Sequence, residues 1–339
     1  MTRKVTIYSI AQELKVHPST VSRAFSRPDL VRDDVRDRIL AWARVVDYRP
    51  NRAARSLVTG RTGMVGLVTP DIENPFFPPL IRVLQKAAAE HELGVILLDT
   101  ELHAERELDL LARLHHQVDG FVIASPMSST AKIAEAVNGR PTVLLNRGTA
   151  TFSSAVIDNT TALREAADLL TRLGHRRIAL LRGPVTSWAS QRRADAVHRW
   201  AAAARADLVD LGAFDAAYAG GLAATVRLAG TGVTAALAFD DLMACGVVAG
   251  LAEQGVRVPD DFSLVGCDDV LLSRVLTPAL TTLAAPIDEL GCAAIDLLTE
   301  LITDKTAEPR SERLFGRLVV RGSTGPAPGR QPTFLSSRD

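Results

Sequence analysis

The chain has 339 residues, room for two to three domains, and 47% are hydrophobic, as in a folded globular protein. No apolar run is long enough to span a bilayer, and Met1-Thr2-Arg3-Lys4 leads into an amphipathic segment, not the apolar core of a signal peptide. The formal net charge of zero is unevenly spread: residues 1–61 hold 13 Lys and Arg against 6 Asp and Glu, a net +7, and the rest is −7. A compact basic unit on an acidic body is the footprint of a protein that meets a polyanion through its first unit alone.

The first element spans Thr6 to Leu14. Ile7, Ile10, Ala11 and Leu14 recur at i, i+3, i+4 and i+7, one apolar stripe of a short helix, and Thr6 suits its N-cap. After a turn of about three residues, Pro18 is placed as the first residue of a second helix. Val21, Ala24 and Phe25 form its apolar face, which leaves Ser19, Thr20, Ser22 and Arg23 pointing elsewhere. Two short helices across a tight turn, the second with small polar residues and an Arg on its free face, make a helix-turn-helix that fits a DNA major groove.

A third helix follows. Asp33 and Asp34 suit its positive end, and Val35, Ile39, Trp42, Ala43 and Val46 are placed to face the first two helices. Tyr48-Arg49-Pro50 ends it. Residues 51–58 have helix propensity but span only about two turns, too short to stand alone in water, so they read as a segment that orders when something holds it. Thr59-Gly60-Arg61-Thr62-Gly63 breaks into a linker.

From Met64 the period changes. Short apolar runs at 64–68, 95–98, 121–124, 143–145, 178–181, 235–239 and 263–265 alternate with amphipathic helical patterns. Continuous apolar strands separated by helices imply parallel sheets covered on both faces. More than one comfortable sheet core of this pattern predicts two α/β lobes. Cys245, Cys267 and Cys292 are odd in number and lack metal-ligand spacing, which fits inert thiols in a reducing cytoplasm. The tail after Thr324 is Pro- and Gly-rich and reads as disordered.

An ordered series of motifs now resembles the lactose/galactose repressor (LacI/GalR) family of regulators. It comprises Thr20-Val21-Ser22-Arg23, Tyr48-Arg49-Pro50-Asn51, Ala54-Arg55-Ser56-Leu57, Asp71-Ile72-Glu73-Asn74-Pro75-Phe76-Phe77, Val118-Asp119-Gly120-Phe121, Leu173-Gly174-His175-Arg176-Arg177, Val258-Pro259-Asp260-Asp261-Phe262 and Leu280-Thr281-Thr282. The resemblance implies a helix-turn-helix headpiece over 1–49, a hinge helix and linker over 50–62, and a two-lobed effector-binding and dimerisation core over 63–324, with a disordered tail over 325–339. The core should resemble periplasmic sugar-binding proteins. Its chain should cross between lobes three times, with the N-lobe about 63–160 plus 287–324 and the C-lobe about 161–286. Family members act as homodimers on a near-palindromic double-stranded DNA operator and hold a small molecule between the lobes.

The resemblance assigns Pro18, Ser19 and Arg23 to base edges, with Ser19 and Thr20 hydroxyls in reach of bases or phosphates. Arg23 is the candidate for bidentate contact with guanine O6 and N7. Tyr8, Ser22 and Asn51 are placed as backbone contacts that position the module. Leu57 is the candidate wedge for the minor groove, flanked by Arg52 and Arg55, which can neutralise phosphates. Two departures stand out. Lys15 replaces the Gly of many relatives in the turn, at a cost of about 1 kcal/mol if its φ is positive, and Pro18 replaces a hydrogen-bonding side chain.

For the effector, motif position gives Asp71, Phe76, Phe77, Asn146, Arg192, Asp240 and Asp268. Aromatic faces with carboxylates, an amide and one cation suit a sugar or another polyhydroxylated compound, and Arg192 also suits a carboxylate or phosphate. Asp240 replaces the commoner Asn and Cys267 the usual aromatic. Trp188 either lines the cleft or closes it. Asp241 reads as a helix-start carboxylate and His175 as structural.

No metal-ligand set, Gly-rich phosphate loop, nucleophile elbow or Cys-His signature appears, and adjacent His115 and His116 diverge on a helix. No cofactor, metal site, catalytic residue or membrane partner is expected. The sequence thus predicts a cytoplasmic, ligand-responsive DNA-binding repressor and not an enzyme. The alternatives are a stand-alone solute-binding protein and an α/β enzyme with an appended DNA module.

Overall fold

A computed structural model describes residues 5–48 and 60–329. The chain divides into two compact units, 1–63 and 64–339. Asn51, Arg52, Arg55 and Leu57 lie outside the described residues, as does the expected hinge helix.

The first unit is all-α. Helix α1 (Ile7–Leu14) starts on a capping box in which Thr6 Oγ1 accepts from Ser9 N at 3.3 Å and Ser9 Oγ accepts from Thr6 N at 2.9 Å. Lys15 ends it in the left-handed region, φ 54, while Val16 N donates to Ala11 O at 3.0 Å. The turn therefore keeps the glycine conformation and carries its strain. Helix α2 (Pro18–Ser26) has Pro18 at its first position, and α3 (Asp33–Val45) opens on Asp33 and Asp34. Ile10, Ala11, Val21, Ala24, Val31, Ile39 and Ala43 form the small core, with Phe25 against Tyr48 at 5.7 Å between ring centroids. Val46 lies past the helix end, only half-buried.

The second unit holds two parallel sheets. The N-lobe strands are β1 (Met64–Thr69), β2 (Gly94–Asp99), β3 (Gly120–Ala124), β4 (Thr142–Leu145) and β5 (Ser153–Asp158). Its helices are α4 (Phe77–Glu90), α5 (Ala104–Leu114) and α6 (Thr130–Val137). The C-lobe alternates α7 (Thr160–Arg172), β6 (Arg177–Arg182), α8 (Trp188–Ala204), β7 (Asp207–Ala213), α9 (Tyr218–Leu228), β8 (Ala235–Ala238), α10 (Asp241–Glu253), β9 (Ser263–Val265) and α11 (Leu271–Val275). The chain then runs through β10 (Thr282–Ala284), α12 (Ile287–Thr303), β11 (Ser311–Phe315) and β12 (Arg317–Val319).

Strand β11 joins the first lobe, which gives a six-stranded parallel order β11-β5-β4-β3-β1-β2, while β7-β6-β8-β9 form the second sheet. The central strands of each sheet are buried on both faces, as their apolar runs require. In the N-lobe Leu67, Val122 and Val143 face Leu84 and Leu298, whereas Val68, Ile123 and Leu144 face Leu111 and Ile133. In the C-lobe Leu180 and Leu237 face Ala166 and Val197, whereas Leu181 and Ala236 face Ala224 and Val247.

The chain passes between lobes at Asn159, at Ala285–Pro286 and at Gly316. The last passage corrects a boundary. The N-lobe share of the C-terminal stretch ends with β11, because β12 pairs antiparallel with β10 and Leu318 packs on the C-lobe core. The first residues of the expected tail are held on the C-lobe: Gly325 O accepts from His175 Nε2 at 3.1 Å, and Ala327 N donates to Leu173 O at 2.8 Å; residues 330–339 lie outside the described residues. No described helix is long and apolar enough to cross a membrane.

Candidate nucleic-acid interface and effector cleft

In the basic unit, burial of Val21 and Ala24 turns the other side of α2 outward. Ser19 and Arg23, four residues apart, share that side. Arg23 is exposed and takes part in none of the ion pairs among the described residues, whereas Arg32 and Arg36 are held by Asp34, Asp33 and Asp37. Tyr8 on α1 is 69% exposed. Pro18, Ser19, Thr20 and Ser22 are half-buried. His17, which sequence reasoning passed over, is the N-cap of α2: its Nδ1 accepts from Ser19 N at 3.3 Å and lies 2.8 Å from Ser19 Oγ. The signal for it was only that it precedes Pro18. The helix start is thus fixed by a ring that also holds the hydroxyl expected to reach DNA.

In the core, parallel strands bring the loops at their C-terminal ends to facing edges of the two lobes, where ligands of open α/β sheets bind. Asn74, after β1, sends Nδ2 across to Asp240 Oδ2 at 3.5 Å while its Oδ1 accepts from Phe76 N at 3.0 Å. Arg147, after β4, donates to Ser128 O, to Pro126 O at 2.7 Å and, across the cleft, to Thr186 O at 3.3 Å. Gly148 has Trp188 against it: a Cβ there would lie 3.3 Å from the indole. Trp188 thus lines the cleft and meets Gly148 of the other lobe across it.

At the centre, Arg193 donates from Nη2 to Asp268 Oδ1 at 3.1 Å and from Nη1 to Phe239 O. Both side chains are largely buried, at 15% and 9% exposure. Asp240 caps α10 by accepting from Met243 N at 2.7 Å. Asp241 stands in the first turn of α10 but does not cap it: its carboxyl accepts from Val270 N at 3.0 Å and Thr282 Oγ1 at 2.6 Å, tying the helix start to α11 and β10. Burial first, and the charge of Asp268 second, push Asp240 up to about 7 and Asp241 up to about 8. Burial also raises Asp268, against the pull of Arg193.

Two cavities flank this pair. One of about 680 Å³ is lined by Phe76, Asp268, Arg274, Pro286 and Phe315 among others, and one of about 120 Å³ by Asn159, Trp188, Arg192, Arg193 and Arg313 among others. The expected effector residues divide accordingly. Phe76, Asp268 and Arg192 line a cavity, and Asp240 lies between the lobes. Phe77 is core and meets Phe76 edge-on at 5.2 Å. Asp71 caps its own turn through Glu73 N at 2.8 Å, and Asn146 accepts from Ile157 N at 3.4 Å; neither lines these two cavities. Arg193, one residue beyond the expected Arg192, makes the central ion pair. His175 is held by Thr234 Oγ1 and Ser263 Oγ at 2.8 and 3.0 Å, a structural role as expected.

Residues 6–51 match the family model described as bacterial regulatory proteins of the lacI family, and residues 167–324 match a periplasmic binding protein-like domain. The HTH-type transcriptional repressor CytR of Escherichia coli (strain K12) is 30% identical over 335 residues, 95% of this chain and 97% of that protein. This chain belongs to the LacI family. It is a ligand-responsive, sequence-specific DNA-binding transcriptional regulator. A LacI family regulator from Enterococcus faecium, solved with bound ribose, is 30% identical with a TM-score of 0.70, covering 78% of this chain and 99% of that one. A lac repressor dimer bound to operator and the anti-inducer ONPF shares the fold, with a TM-score of 0.84 at 24% identity, over 95% of this chain and 100% of that one.

Proposed function

We propose that this LacI-family regulator is a cytoplasmic repressor that binds a near-palindromic operator as a homodimer and releases or tightens it in response to a carbohydrate-like effector held between its lobes. The observation that carries this reading is the pairing of an outward Ser19–Arg23 face on a basic headpiece with a cleft centred on Arg193, Asp240 and Asp268. Arg23 reads a guanine, Ser19 and Thr20 contact bases or phosphates, Pro18 offers only apolar contact, and Tyr8 and Ser22 position the module. Asn51, Arg52, Arg55 and Leu57 belong to the same interface by motif position, with Leu57 as the minor-groove wedge.

In the cleft, Asp268 and Asp240 accept from hydroxyls, Arg193 and Arg192 donate, and Phe76 offers an apolar face. Asp71, Asn146 and Phe77 act behind that surface by setting the loops. Membership of a family of transcriptional regulators supports binding without turnover, so the ligand leaves unchanged. The Enterococcus relative solved with ribose supports the carbohydrate class. The test is selection of operator DNA from a random pool by the full chain, followed by titration with a carbohydrate panel. An enriched inverted repeat whose affinity moves with one ligand supports the reading; enrichment of no sequence rejects it.

A further inference from the structure

We infer that the smaller cavity is an anion subsite of the effector cleft, built to take a phosphate or carboxylate group of the bound compound. The inference rests on the effector reading above and narrows its ligand class to acidic sugar derivatives. The cavity, about 120 Å³, is below the few hundred Å³ that house a whole ligand, roughly 300 or more, and well above the ~30 Å³ of a water molecule. It fits one compact group of a larger molecule.

The lining supplies the chemistry. Arg192 comes from α8 of the C-lobe and Arg313 from β11 of the N-lobe. Their ion pairs are long, 3.8 Å to Asp195 and 3.6 Å to Asp158. Each guanidinium therefore keeps donors for a bidentate partner. Asp158, also in the lining, spends Oδ1 on Thr160 N at 2.9 Å. Burial works against its charge, but that hydrogen bond and the charges of Arg313 and Arg192 hold its pKa below the usual carboxylate value. One acid thus faces the two arginines and the partly engaged Arg193. Asn159, 6% exposed and also in the lining, turns Nδ2 to Cys267 Sγ at 3.6 Å and packs Oδ1 beside Gly316. Trp188 stacks beside Arg192, 5.8 Å from guanidinium carbon to ring centroid, and gives the site an aromatic wall.

The two arginines belong to different lobes. An anion bonded to both joins the lobes and cancels the repulsion between them, so binding at this subsite favours the closed cleft.

The test titrates the full chain with inorganic phosphate at constant ionic strength, with chloride as the control, and reads tryptophan fluorescence, to which Trp188 contributes beside Trp42 and Trp200, and the melting temperature of the core. The expected result is a saturable response whose Kd rises at least tenfold in Arg192→Gln and in Arg313→Gln. Arg192→Lys and Arg313→Lys should fall between. Both arginines are more than half exposed, so circular dichroism should show the variants folded. Competition by glucose 6-phosphate and by gluconate, each against glucose, separates a phosphate-bearing from a carboxylate-bearing effector. No saturable response beyond chloride, or a response undiminished in the double variant, overturns the subsite. Operator binding by the same samples is read separately: its absence would reject the regulator reading, while the phosphate titration still decides the subsite.

Discussion

Arg193 reaches Asp268 across 3.1 Å, and Asp268 meets it from a backbone φ of 112, a region that side chains rarely adopt. A strained residue held by a buried ion pair at the junction of two lobes is where conformational strain serves function. Asp268 N also donates to Leu283 O at 2.7 Å, which places the pair beside the second passage between lobes.

Removing the cation should be costly. Arg193→Met leaves Asp268 buried without its partner, and unfolding of the core should lose about 3 kcal/mol, the low end for a broken buried pair because Asp268 can take up a proton. Arg192→Gln, at an exposed position, should change stability by under about 0.5 kcal/mol. Denaturant titration of both variants checks the contrast.

The carboxylates make the core sensitive to pH. Asp240, about 7, and Asp241, about 8, stand above their ordinary value of 3.8, so the folded state binds more protons than the unfolded chain between those limits. Their contribution to stability is therefore intact below about pH 4, falls as pH rises through 4 to 8, and is fully lost above it, by at most about 1.4 kcal/mol per pH unit per group. Asp240→Asn keeps a capping side chain for α10 and should flatten the fall. Melting temperatures from pH 5 to 8 measure the two slopes.

Lys15 pays for a left-handed turn that glycine adopts freely. Lys15→Gly should stabilise the headpiece by up to about 1 kcal/mol, read in its thermal unfolding.

Arg23→Ala should relax discrimination at one base pair of each half-site by about 1–3 kcal/mol, roughly a fivefold to 150-fold change. Tyr8→Phe should weaken binding evenly across sequences, since a backbone contact carries no base preference. Competition binding with single-base operator variants distinguishes the two patterns.

The strand runs and the helix-turn-helix were legible because apolar periodicity records burial directly: Val21 and Ala24 fill the headpiece core, and β1, β2, β3, β4, β6, β8 and β9 coincide with the expected runs. Strands β5, β7, β10, β11 and β12 fall on none of those runs; β7, β11 and β12 are partly exposed at sheet edges or at the hinge, so their apolar pattern is broken. Arg192 and Arg193 show the limit for the site. Adjacent residues on a helix stand about 100° apart, and α8 has Trp188 and Arg192 on one face and Arg193 on the next. Only packing fixes which arginine turns to Asp268. A third passage was expected, but its position at Gly316 was hidden for a similar reason: a Cβ there would lie 1.9 Å from Asn159 Oδ1, a contact between residues far apart in sequence.

Coupling between cleft and operator is tested most directly by measuring operator affinity of the full chain, wild type and Arg193→Ala, with and without a saturating ligand identified from the carbohydrate panel. Ligand should shift the wild-type Kd for operator at least tenfold, and operator should shift the ligand Kd by the same factor. Arg193→Ala should bind operator as the wild type does yet show no ligand shift. An unchanged wild-type Kd in the presence of a ligand that demonstrably occupies the cleft would contradict the account.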